Sequence, residues 1–567
     1  MDLGTGHPLT GCFALLLLAC SFTFVVYRNY LHPLSKYPGP ALARLSDAYA
    51  GFYTFYGNLH LRTYLDLQRY GPVLRSGPNK LVFKSIEALQ GERCYPQNIY
   101  NNDRITKSHV YGLTVASGKP SLFNVIDKRH HREKRRLIGH AISDKSLRAF
   151  EPTLIDQIDM FLQQLLVASR QSKAVEMSER SKHLGMDIVG FLSFGYPLQM
   201  LTTSDNHFIM RGLKIGAFQA NAFMQWPLLK KLGVQHLMIY LGKKQRVQYL
   251  RALQNMISTR LAQGRHAKQD LFSFAADYVD SPKNEIGTSE LFGEALFFFP
   301  AAGDTTSTAI AALFFYLSRN PEVYKKLAQE IRSSFRNGSE IRSGPRLQSC
   351  RYLRACIDEA LRMTPPVAGT LWREPYANEY KKGGGEPFTV DGHVIPPGTQ
   401  VGVSIYAIHH EEAYFPKPFL FRPERWLESD AETLKWMNMA FCPFSLGSRG
   451  CAGKSTRQVI ADGLEINTVH PPLLHLKIHT IANWTNGYLL VAYMETSLVV
   501  AKTIWYFDFK IDGGDMGRSG EGSVGRKDGR GRVDEFQTWD SFGSTHLGPN
   551  LVFEPRGELW REIDTKA

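Results

Sequence analysis

The first long apolar stretch of the chain lies near its N-terminus. Residues 9–27 are nineteen residues without a charge, close to the roughly 20 that cross the hydrocarbon core of a bilayer as a helix. No cationic start precedes them, which argues against a cleaved signal peptide, whereas Arg28, Lys36 and Arg44 follow them. Positive charges after the span predict that the body of the protein is cytoplasmic. The pattern predicts an uncleaved, single-pass anchor over residues 1–28.

A proline-rich segment separates this anchor from the body. Proline fixes φ and disfavours helix in the residue before it, so Pro33, Pro38 and Pro40 are expected to end the membrane helix. These residues predict a stiff, turned hinge over residues 29–40. An ordinary turn explains the same residues equally well.

Helical periodicity dominates the rest of the chain. Apolar residues recur every three or four positions over 152–167, and a long apolar stretch predicts a second helix over 289–319. The strand-like segments are short, and the last is interrupted by an Asp-Gly turn; they cover 72–75, 80–83 and 388–395. We therefore expect a mainly α-helical protein with small β-sheets, folded as one large domain over 41–567.

Composition and charge narrow the classes of function. The chain has 567 residues, of which 43% are hydrophobic and 21% charged, as in an ordinary globular protein. Seven cysteines are too few for a disulfide framework and favour a reducing compartment. The net charge is +14, but the sequence has no zinc-finger spacing, basic region with heptads or RNA-binding aromatic motif. The positive charge therefore indicates a membrane surface or an acidic protein partner, and we expect no nucleic acid.

One cysteine lies in a setting that suits a metal ligand. Residues 444–453 read FSLGSRGCAG, in which glycines on both sides of Arg449 permit tight turns. A helix beginning just after Cys451 would direct its N–H groups and positive dipole end at the sulfur, which favours a thiolate. Arg449 offers a planar cation suited to a carboxylate. A phosphate-binding loop is excluded, since it requires glycine where the chain has Ser448.

This spacing resembles the cysteine-ligand loop of the cytochrome P-450 family. The family pattern F-x-x-G-x-R-x-C-x-G is met by Phe444, Gly447, Arg449, Cys451 and Gly453. The resemblance implies a P-450 fold and a haem cofactor. It implies Cys451 as the axial thiolate ligand of the iron, with Phe444, Arg449 and Gly453 in the cofactor site. Without the resemblance, a buried inert cysteine is the usual state of a single cysteine.

The predicted helix over 289–319 carries a second group of candidate residues, PAAGDTTST at 300–308. Asp304 beside Thr305 pairs an acid with an alcohol, which could relay protons from solvent. A small-residue helix crossing with polar groups facing solvent explains the segment equally well. It resembles the P-450 oxygen-activation motif, which implies catalytic roles for Asp304 and Thr305. It departs at Ala302, where the family has glycine, and at Pro300, which predicts a kink.

Basic residues supply further candidate contacts to the cofactor. Residues 127–136 read DKRHHREKRR, which by itself indicates a solvated helix face or a localisation patch. In the P-450 family a helix carrying W/H-x-x-x-R binds the haem propionates, which implies this role for His131 and Arg135. A similar match implies it for Arg373. The remaining cations of the run suit an acidic electron-donor surface.

Three further residues resemble the family's supporting ion network. Glu359 and Arg362 match its E-x-x-R pair and lie on one helix face. Arg425, within FRPERW, is expected to join them in a buried ion triad that supports the cysteine loop.

The segment after the cysteine loop departs from the family pattern. The family's helix continues there, whereas here residues 456–490 intervene before a helical pattern resumes at 491–507. We regard 456–490 as an atypical insertion and hypothesise that it is untranslated sequence retained by a gene-model error. Residues 513–532 are rich in glycine and predict a loop.

These features predict a haem-thiolate monooxygenase in the endoplasmic reticulum membrane, with its catalytic domain facing the cytoplasm. By resemblance, it inserts one oxygen atom from O₂ into a lipophilic small molecule and receives electrons from an NADPH-dependent reductase. Segments 70–83 and 539–555 resemble fungal members of secondary metabolite biosynthesis. Two alternatives stay open: a haem-binding protein that the insertion makes catalytically impaired, and a membrane-tethered scaffold without cofactor.

Overall fold

The computed structural model confirms a mainly helical chain with small sheets. It describes residues 8–91, 98–115, 118–264, 270, 272–273, 288–376, 387–453 and 491–564. The predicted insertion at 456–490 lies outside the described residues.

The described α-helices are numbered in chain order. The first twelve are α1 (Pro8–Val26), α2 (Ala41–Leu45), α3 (Ala48–Phe55), α4 (Leu59–Tyr70), α5 (Ile86–Leu89), α6 (Lys128–Ala141), α7 (Asp144–Arg170), α8 (Met177–Phe194), α9 (Phe208–Gln225), α10 (Leu228–Lys231), α11 (Val234–Leu241) and α12 (Lys243–Ala262). The others are α13 (Thr288–Phe298), α14 (Thr305–Arg319), α15 (Pro321–Ser334), α16 (Pro345–Gln348), α17 (Arg351–Met363), α18 (Ile405–His409), α19 (Arg425–Glu428), α20 (Ala431–Ala440), α21 (Val491–Tyr506) and α22 (Arg561–Asp564). The helix predicted at 152–167 lies within α7.

The strands are short and form small sheets. They are β1 (Val73–Gly77), β2 (Lys80–Phe83), β3 (Ile105–Lys107), β4 (Val175–Glu176), β5 (Arg373–Pro375), β6 (Thr389–Val390), β7 (His393–Val394), β8 (Gln400–Val403), β9 (Phe507–Ile511), β10 (Thr538–Ser541), β11 (Gly543–His546) and β12 (Asn550–Pro555). A five-stranded sheet has the order β1-β2-β8-β5-β3, and a three-stranded sheet has the order β4-β12-β9. The pairs β6–β7 and β10–β11 are antiparallel hairpins.

The sequence-predicted strands are found where expected, with small shifts. The segments at 72–75 and 80–83 correspond to β1 and β2, which pair antiparallel. Between β6 and β7, Asp391 and Gly392 have φ values of +48° and +71°, as an Asp-Gly hairpin turn requires. The parallel pairing of β2 with β8, which aligns Lys80 with Gln400, joins distant segments that no local pattern predicted.

The core is built around α14. All residues from Thr306 to Leu317 are buried, because the helix is packed on several sides by α8, α17 and α21. Two glycines bring α8 against the start of this helix: a Cβ on Gly185 would lie 2.7 Å from the carbonyl oxygen of Gly303. The segment just before α14 is therefore held in a fixed position against α8.

The long helix predicted over 289–319 is interrupted at the predicted site. α13 ends at Phe298, residues Phe299–Asp304 form a π-helical segment, and α14 begins at Thr305. Pro300 has no backbone N–H to donate, so the regular α-helical hydrogen bonding cannot continue through it. The π-helical segment accommodates this loss without ending the helix.

The N-terminal helix stands apart from the body. Its most apolar 18-residue stretch, within Thr10–Leu31, has a mean hydropathy of 2.0 and is not buried at all. Large apolar side chains such as Phe22 are exposed along it. This helix fits a membrane anchor. After it, His32 turns to extended backbone, and the Arg75 N–H donates to Pro38 O at 2.8 Å, so the hinge packs on β1.

The C-terminal part of the chain contains α21, β9 and the glycine-rich loop. α21 covers the predicted helix at 491–507 except its last residue, Phe507, which starts β9. In the glycine-rich loop at 513–532, the N–H groups of Gly522 and Ser523 donate to the carbonyls of Arg532 and Arg530 at 3.0 and 2.8 Å. These bonds give the loop a defined path beside α14.

Candidate functional site

A cavity of about 1370 Å³ lies between the cysteine loop and the π-helical segment. It exceeds the roughly 300–1,000 Å³ of an ordinary ligand pocket, so it has room for more than one small molecule. All nine sequence-predicted site residues line it: His131, Arg135, Asp304, Thr305, Arg373, Phe444, Arg449, Cys451 and Gly453. The structure therefore brings together candidates that are up to 322 residues apart in sequence.

The cysteine loop is held by short backbone hydrogen bonds. The Cys451 N–H donates to Phe444 O at 2.8 Å, and the Gly450 N–H donates to Gly447 O at 3.0 Å. Gly447 has φ of +69°, and a Cβ there would lie 2.1 Å from Tyr100 O. Only glycine fits this position, since both the conformation and the space exclude a side chain.

The Cys451 side chain is exposed toward the cavity rather than buried as an inert thiol. A Cβ on Gly453 would lie 3.6 Å from the Cys451 Sγ, so glycine leaves this side of the sulfur open. The helix predicted to begin after Cys451 falls on residues 454–490, which lie outside the described residues.

A buried ion network supports this loop from behind and confirms the predicted triad. Arg362 Nη2 and Arg425 Nε both lie 2.9 Å from Glu359 Oε1, and all three side chains are at most 1% exposed. Burial by itself would raise the pKa of Glu359, but the charge and hydrogen bonds of Arg362, with Arg425, hold that pKa below its usual range. Trp426 adds an indole N–H donor to the same carboxylate at 3.0 Å.

His409 connects the triad to the cysteine loop, and sequence reasoning missed it. Arg362 Nη1 donates to His409 O at 2.8 Å, while the Cys442 N–H donates to His409 Nε2 at 3.0 Å. Burial, with the Arg362 charge nearby, lowers the pKa of His409 to about 3, so the neutral ring can accept this bond. The network therefore fixes the chain nine residues before Cys451.

Five basic side chains gather at one edge of the cavity: Lys107, His131, Arg135, Arg373 and Arg449. Among the described residues, no carboxylate lies within salt-bridge distance of the three arginines. Burial, followed by the charge of Arg373, lowers the pKa of Arg449 to about 10. Burial, followed by Arg449 and Lys107, lowers the pKa of His131 to about 2. This edge is therefore suited to receive anionic groups.

Several of these cations also bind backbone carbonyls. Arg135 donates to Gly450 O at 2.6 Å and to Cys451 O at 2.9 Å, and so ties α6 to the cysteine loop. Arg449 donates to Val125 O at 2.8 Å and to Ile126 O at 2.6 Å. Lys107, on β3, was missed by sequence reasoning because no motif surrounds it. Burial, with Arg373 and Arg449, lowers its pKa well below the usual range.

The acid and the alcohol lie at the junction of the π-helical segment and α14. Asp304 is its last residue and Thr305 begins α14, and both line the cavity. Burial raises the pKa of Asp304, against a smaller opposing effect of Lys182, so its carboxyl holds a proton more readily than usual. The Thr305 hydroxyl donates to Ala301 O at 2.7 Å.

His546 adds an unpredicted contact to this segment. Its Nε2 lies 3.0 Å from the Thr308 hydroxyl, which lies 2.8 Å from Asp304 O. The ring comes from β11, 238 residues away in sequence. The C-terminal hairpin therefore supports the backbone next to Asp304, a contact that no local sequence signal could have indicated.

Comparison with known proteins agrees with this arrangement. The family model for cytochrome P450 matches residues 59–456. The chain belongs to the cytochrome P-450 family. Cytochrome P450 monooxygenase AKT7 of Alternaria alternata is 30% identical over 554 residues, which cover 95% of this chain and 96% of the relative. Cytochrome P450 monooxygenase poxM of Penicillium oxalicum is 34% identical over 460 residues, which cover 78% of this chain and 84% of the relative.

Membership of the P-450 family makes the chain an oxidoreductase of the monooxygenase type. P-450 proteins use haem with a thiolate-bound iron, O₂ and a reductase partner, and they bind lipophilic substrates. The residues of this chain fit such a group. An accessible thiol and three arginines, which have no carboxylate within salt-bridge distance among the described residues, line the same cavity, which suits one ligand for iron and the two carboxylates of haem.

Proposed function

We propose that this chain is a membrane-anchored haem-thiolate monooxygenase that inserts one oxygen atom from O₂ into a lipophilic small molecule in secondary metabolite biosynthesis. The observation that carries the proposal is that Cys451 and the Asp304–Thr305 pair line the same cavity. A metal ligand and a proton donor thus share one reaction space. Similarity to fungal monooxygenases along most of the chain supports the same assignment.

In this proposal, Cys451 binds the haem iron and the basic edge binds the propionates. Haem bound through the Cys451 thiolate would supply the electron density that favours O–O cleavage. Arg135 and Arg449 anchor the cysteine loop through backbone carbonyls and add positive charge, while Arg373 and His131 complete the anion site. Phe444 and Gly453 shape the space around the sulfur.

In this proposal, Asp304 and Thr305 take part in proton transfer. Burial raises the pKa of Asp304, so its carboxyl holds a proton more readily than an exposed aspartate does and can deliver it into the cavity. The Thr305 hydroxyl can pass a proton on once it rotates away from Ala301 O. The cavity wall around them includes Leu296, Phe297 and Val367, which exclude water and suit an apolar substrate.

Other parts of the molecule support the proposed partners and location. We propose residues 1–28 as the anchor, 29–40 as the hinge and 41–567 as the catalytic domain, on the cytoplasmic side of the endoplasmic reticulum membrane. The hydropathy of the N-terminal helix and the cations after it support this orientation. Arg129 and Arg132, exposed on α6, suit an acidic surface on an NADPH-dependent reductase.

The test of this function compares two hydroxyl deletions in reconstituted membranes with reductase and a pool of lipophilic substrates. Thr305→Val should lower product formed per NADPH consumed by about 10²-fold, since it removes a proton donor in the cavity. Ser307→Ala is the matched control, because its hydroxyl also donates to a helix carbonyl, Asp304 O at 2.9 Å, away from the cavity. Product labelled from ¹⁸O₂ is the readout. If both variants form the same amount of product per NADPH consumed, Thr305 has no role in proton delivery.

A further inference from the structure

A second cluster of ligand-type side chains lies outside the haem site, between α8 and the start of α9. Glu179, His183 and His207 each offer one ligand atom, and the three atoms lie within 4.8 Å of one another. Glu179 and His183 are four residues apart on α8 and share one face of the helix. His207 directly precedes α9, so the group joins two elements.

The two imidazoles are already adjacent. Their ring centroids are 4.0 Å apart with an interplanar angle of 22°. The His207 Nε2 donates to Met200 O at 2.9 Å, which leaves its Nδ1 with a lone pair. A histidine that donates one ring N–H to a backbone carbonyl and presents the other nitrogen is the usual arrangement of a metal ligand.

His183 is the buried member of the cluster. Its side chain is 6% exposed, and its Nε2 lies 3.8 Å from Glu179 Oε1, too far for a hydrogen bond. The Glu179 side chain is 63% exposed, so an ion has a path from solvent. Burial, with His207 and Arg180 nearby, lowers the pKa of His183 to about 3, which leaves the ring neutral.

The backbone around the cluster is fixed by other bonds. Asp187 accepts the N–H groups of Met200 and Leu201 at 2.8 and 3.0 Å, and Asn206 Nδ2 donates to Leu198 O at 2.8 Å. The segment that leads to His207 is therefore tied to α8 before any ligand binds. Such support reduces the ordering cost of binding.

We propose that Glu179, His183 and His207 form a binding site for a divalent transition-metal ion such as Zn²⁺, with water completing the coordination. Two imidazoles and a carboxylate are a typical ligand set for Zn²⁺. Bonds of about 2.0–2.1 Å need ligand atoms roughly 3.3 Å apart, so the exposed Glu179 must rotate inward and the stacked rings must splay. The positive charge of Arg180 near His183 lowers the affinity for a cation.

Binding would connect the two helices that border the cavity. α9 contributes residues from Met210 to Phe223 to the cavity wall, and α8 contacts the π-helical segment through Gly185. An ion held by both elements would restrain the start of α9 against α8. The expected effect is a higher melting temperature of the haem-loaded protein in Zn²⁺, since an ion that binds the folded chain more tightly than the unfolded chain stabilises the folded state.

The experiment is a calorimetric titration of tag-free, haem-loaded full chain with Zn²⁺, with haem bound so that Cys451 is not available to zinc. His183→Ala and His207→Ala should each bind one zinc ion per chain fewer than wild type. Glu179→Gln should still bind this ion, but with an affinity lower by at least about tenfold. His236→Ala is the matched control, since His236 is an exposed histidine beside Gly233 and far from the cluster in sequence. It should leave the stoichiometry unchanged.

Zinc-edge X-ray absorption identifies the ligands independently. Two imidazoles with oxygen ligands at about 2.0–2.1 Å support the site, and their loss in His207→Ala confirms it. Because His183 is buried and its variant could misfold, the His207 and Glu179 variants provide the decisive comparison. Equal zinc binding in wild type and His207→Ala overturns the proposal, as does a loss of the same size in His236→Ala. Neither result depends on the haem chemistry.

Discussion

At the scale of single residues, the cysteine loop depends on one backbone position that a side chain cannot occupy. Gly447 combines a positive φ with a carbonyl oxygen 2.1 Å from where a Cβ would lie. The clash involves the backbone of Tyr100, which cannot move as a flexible side chain does. The turn before Cys451 therefore requires glycine for two independent reasons.

Gly447→Ala is expected to destabilise the protein by at least about 2–3 kcal/mol, from the left-handed conformation and the clash together. Thermal unfolding and haem content per chain measure the loss. Gly513→Ala is the control, because no atom lies within 4 Å of where its Cβ would be and its φ is not positive. It should stay within about 0.5 kcal/mol of wild type. Similar values for both variants would contradict this account of the loop.

The ion triad is a second residue-scale feature with a measurable consequence. Glu359→Gln leaves two buried guanidinium groups short of a charge partner and should cost about 3–5 kcal/mol. The pKa of Glu359 is lowered in the folded state, so its stabilisation is present above about pH 4.3 and disappears as the pH falls through the lowered value. The difference between wild type and variant should therefore shrink in acid.

Denaturant unfolding at several pH values measures this difference. Glu554→Gln is the control, since Glu554 pairs with Lys510 on the surface, with 60% and 68% of the side chains exposed. An exposed pair contributes about 0–1 kcal/mol. A Glu359→Gln effect as small as that of the control would show that the triad does not hold the loop.

Sequence motifs identified residues that line the cavity but not the residues that support them. Cys451, Arg449 and Asp304 lie in short patterns that can be recognised locally. His409, Lys107 and His546 act through contacts across the fold, such as the one between His546 and Thr308, 238 residues apart. Local periodicity and motif spacing do not indicate contacts between residues so far apart in sequence, so these supporting residues were identified only from the structure.

At the scale of elements, local patterns predicted the helices and strands but not how they meet. Pro300 indicated a break in the long helix, and the structure shows its form, a π-helical segment over Phe299–Asp304. The strand order of the five-stranded sheet depends on pairings between distant segments, which the sequence does not encode locally. The same holds for the contact of α8 with that π-helical segment.

The element after the cysteine loop supports the hypothesis about residues 456–490. Val491 and Ala492 line the cavity, and the ring of Tyr493 lies 5.6 Å from that of Phe444. The start of α21 therefore lies beside the cysteine loop. A direct connection from residue 455 to Val491 would begin this helix close to Cys451, with its positive N-terminal end near the sulfur.

Deletion of 456–490 is accordingly expected to raise the haem content per chain and the melting temperature. A variant in which these 35 residues are replaced by a Gly/Ser linker of equal length is the control. It keeps the long connection, whose closure costs only a few kcal/mol, but removes the sequence. If the deletion variant binds less haem than the full chain, the segment belongs to the working protein.

At the scale of the whole molecule, a mainly helical body follows an N-terminal helix that is long and apolar enough to cross a bilayer. The exposed apolar surface of α1 fits a membrane anchor, and the hinge after it packs on β1. Within the body, α14 and the cysteine loop face each other across the cavity. Anchor and cavity together suit substrates that partition into the membrane.

The proposed function depends most directly on a sulfur–iron bond, and the absorption spectrum of the reduced, carbon-monoxide-bound full chain detects that bond. Wild type and Cys350→Ser, which alters a buried cysteine outside the cavity lining, should both give the red-shifted band of thiolate ligation. Cys451→Ser should lose that band. If wild type supplied with haemin lacks the band, or if Cys451→Ser retains it, the assignment of Cys451 and the function built on it are wrong.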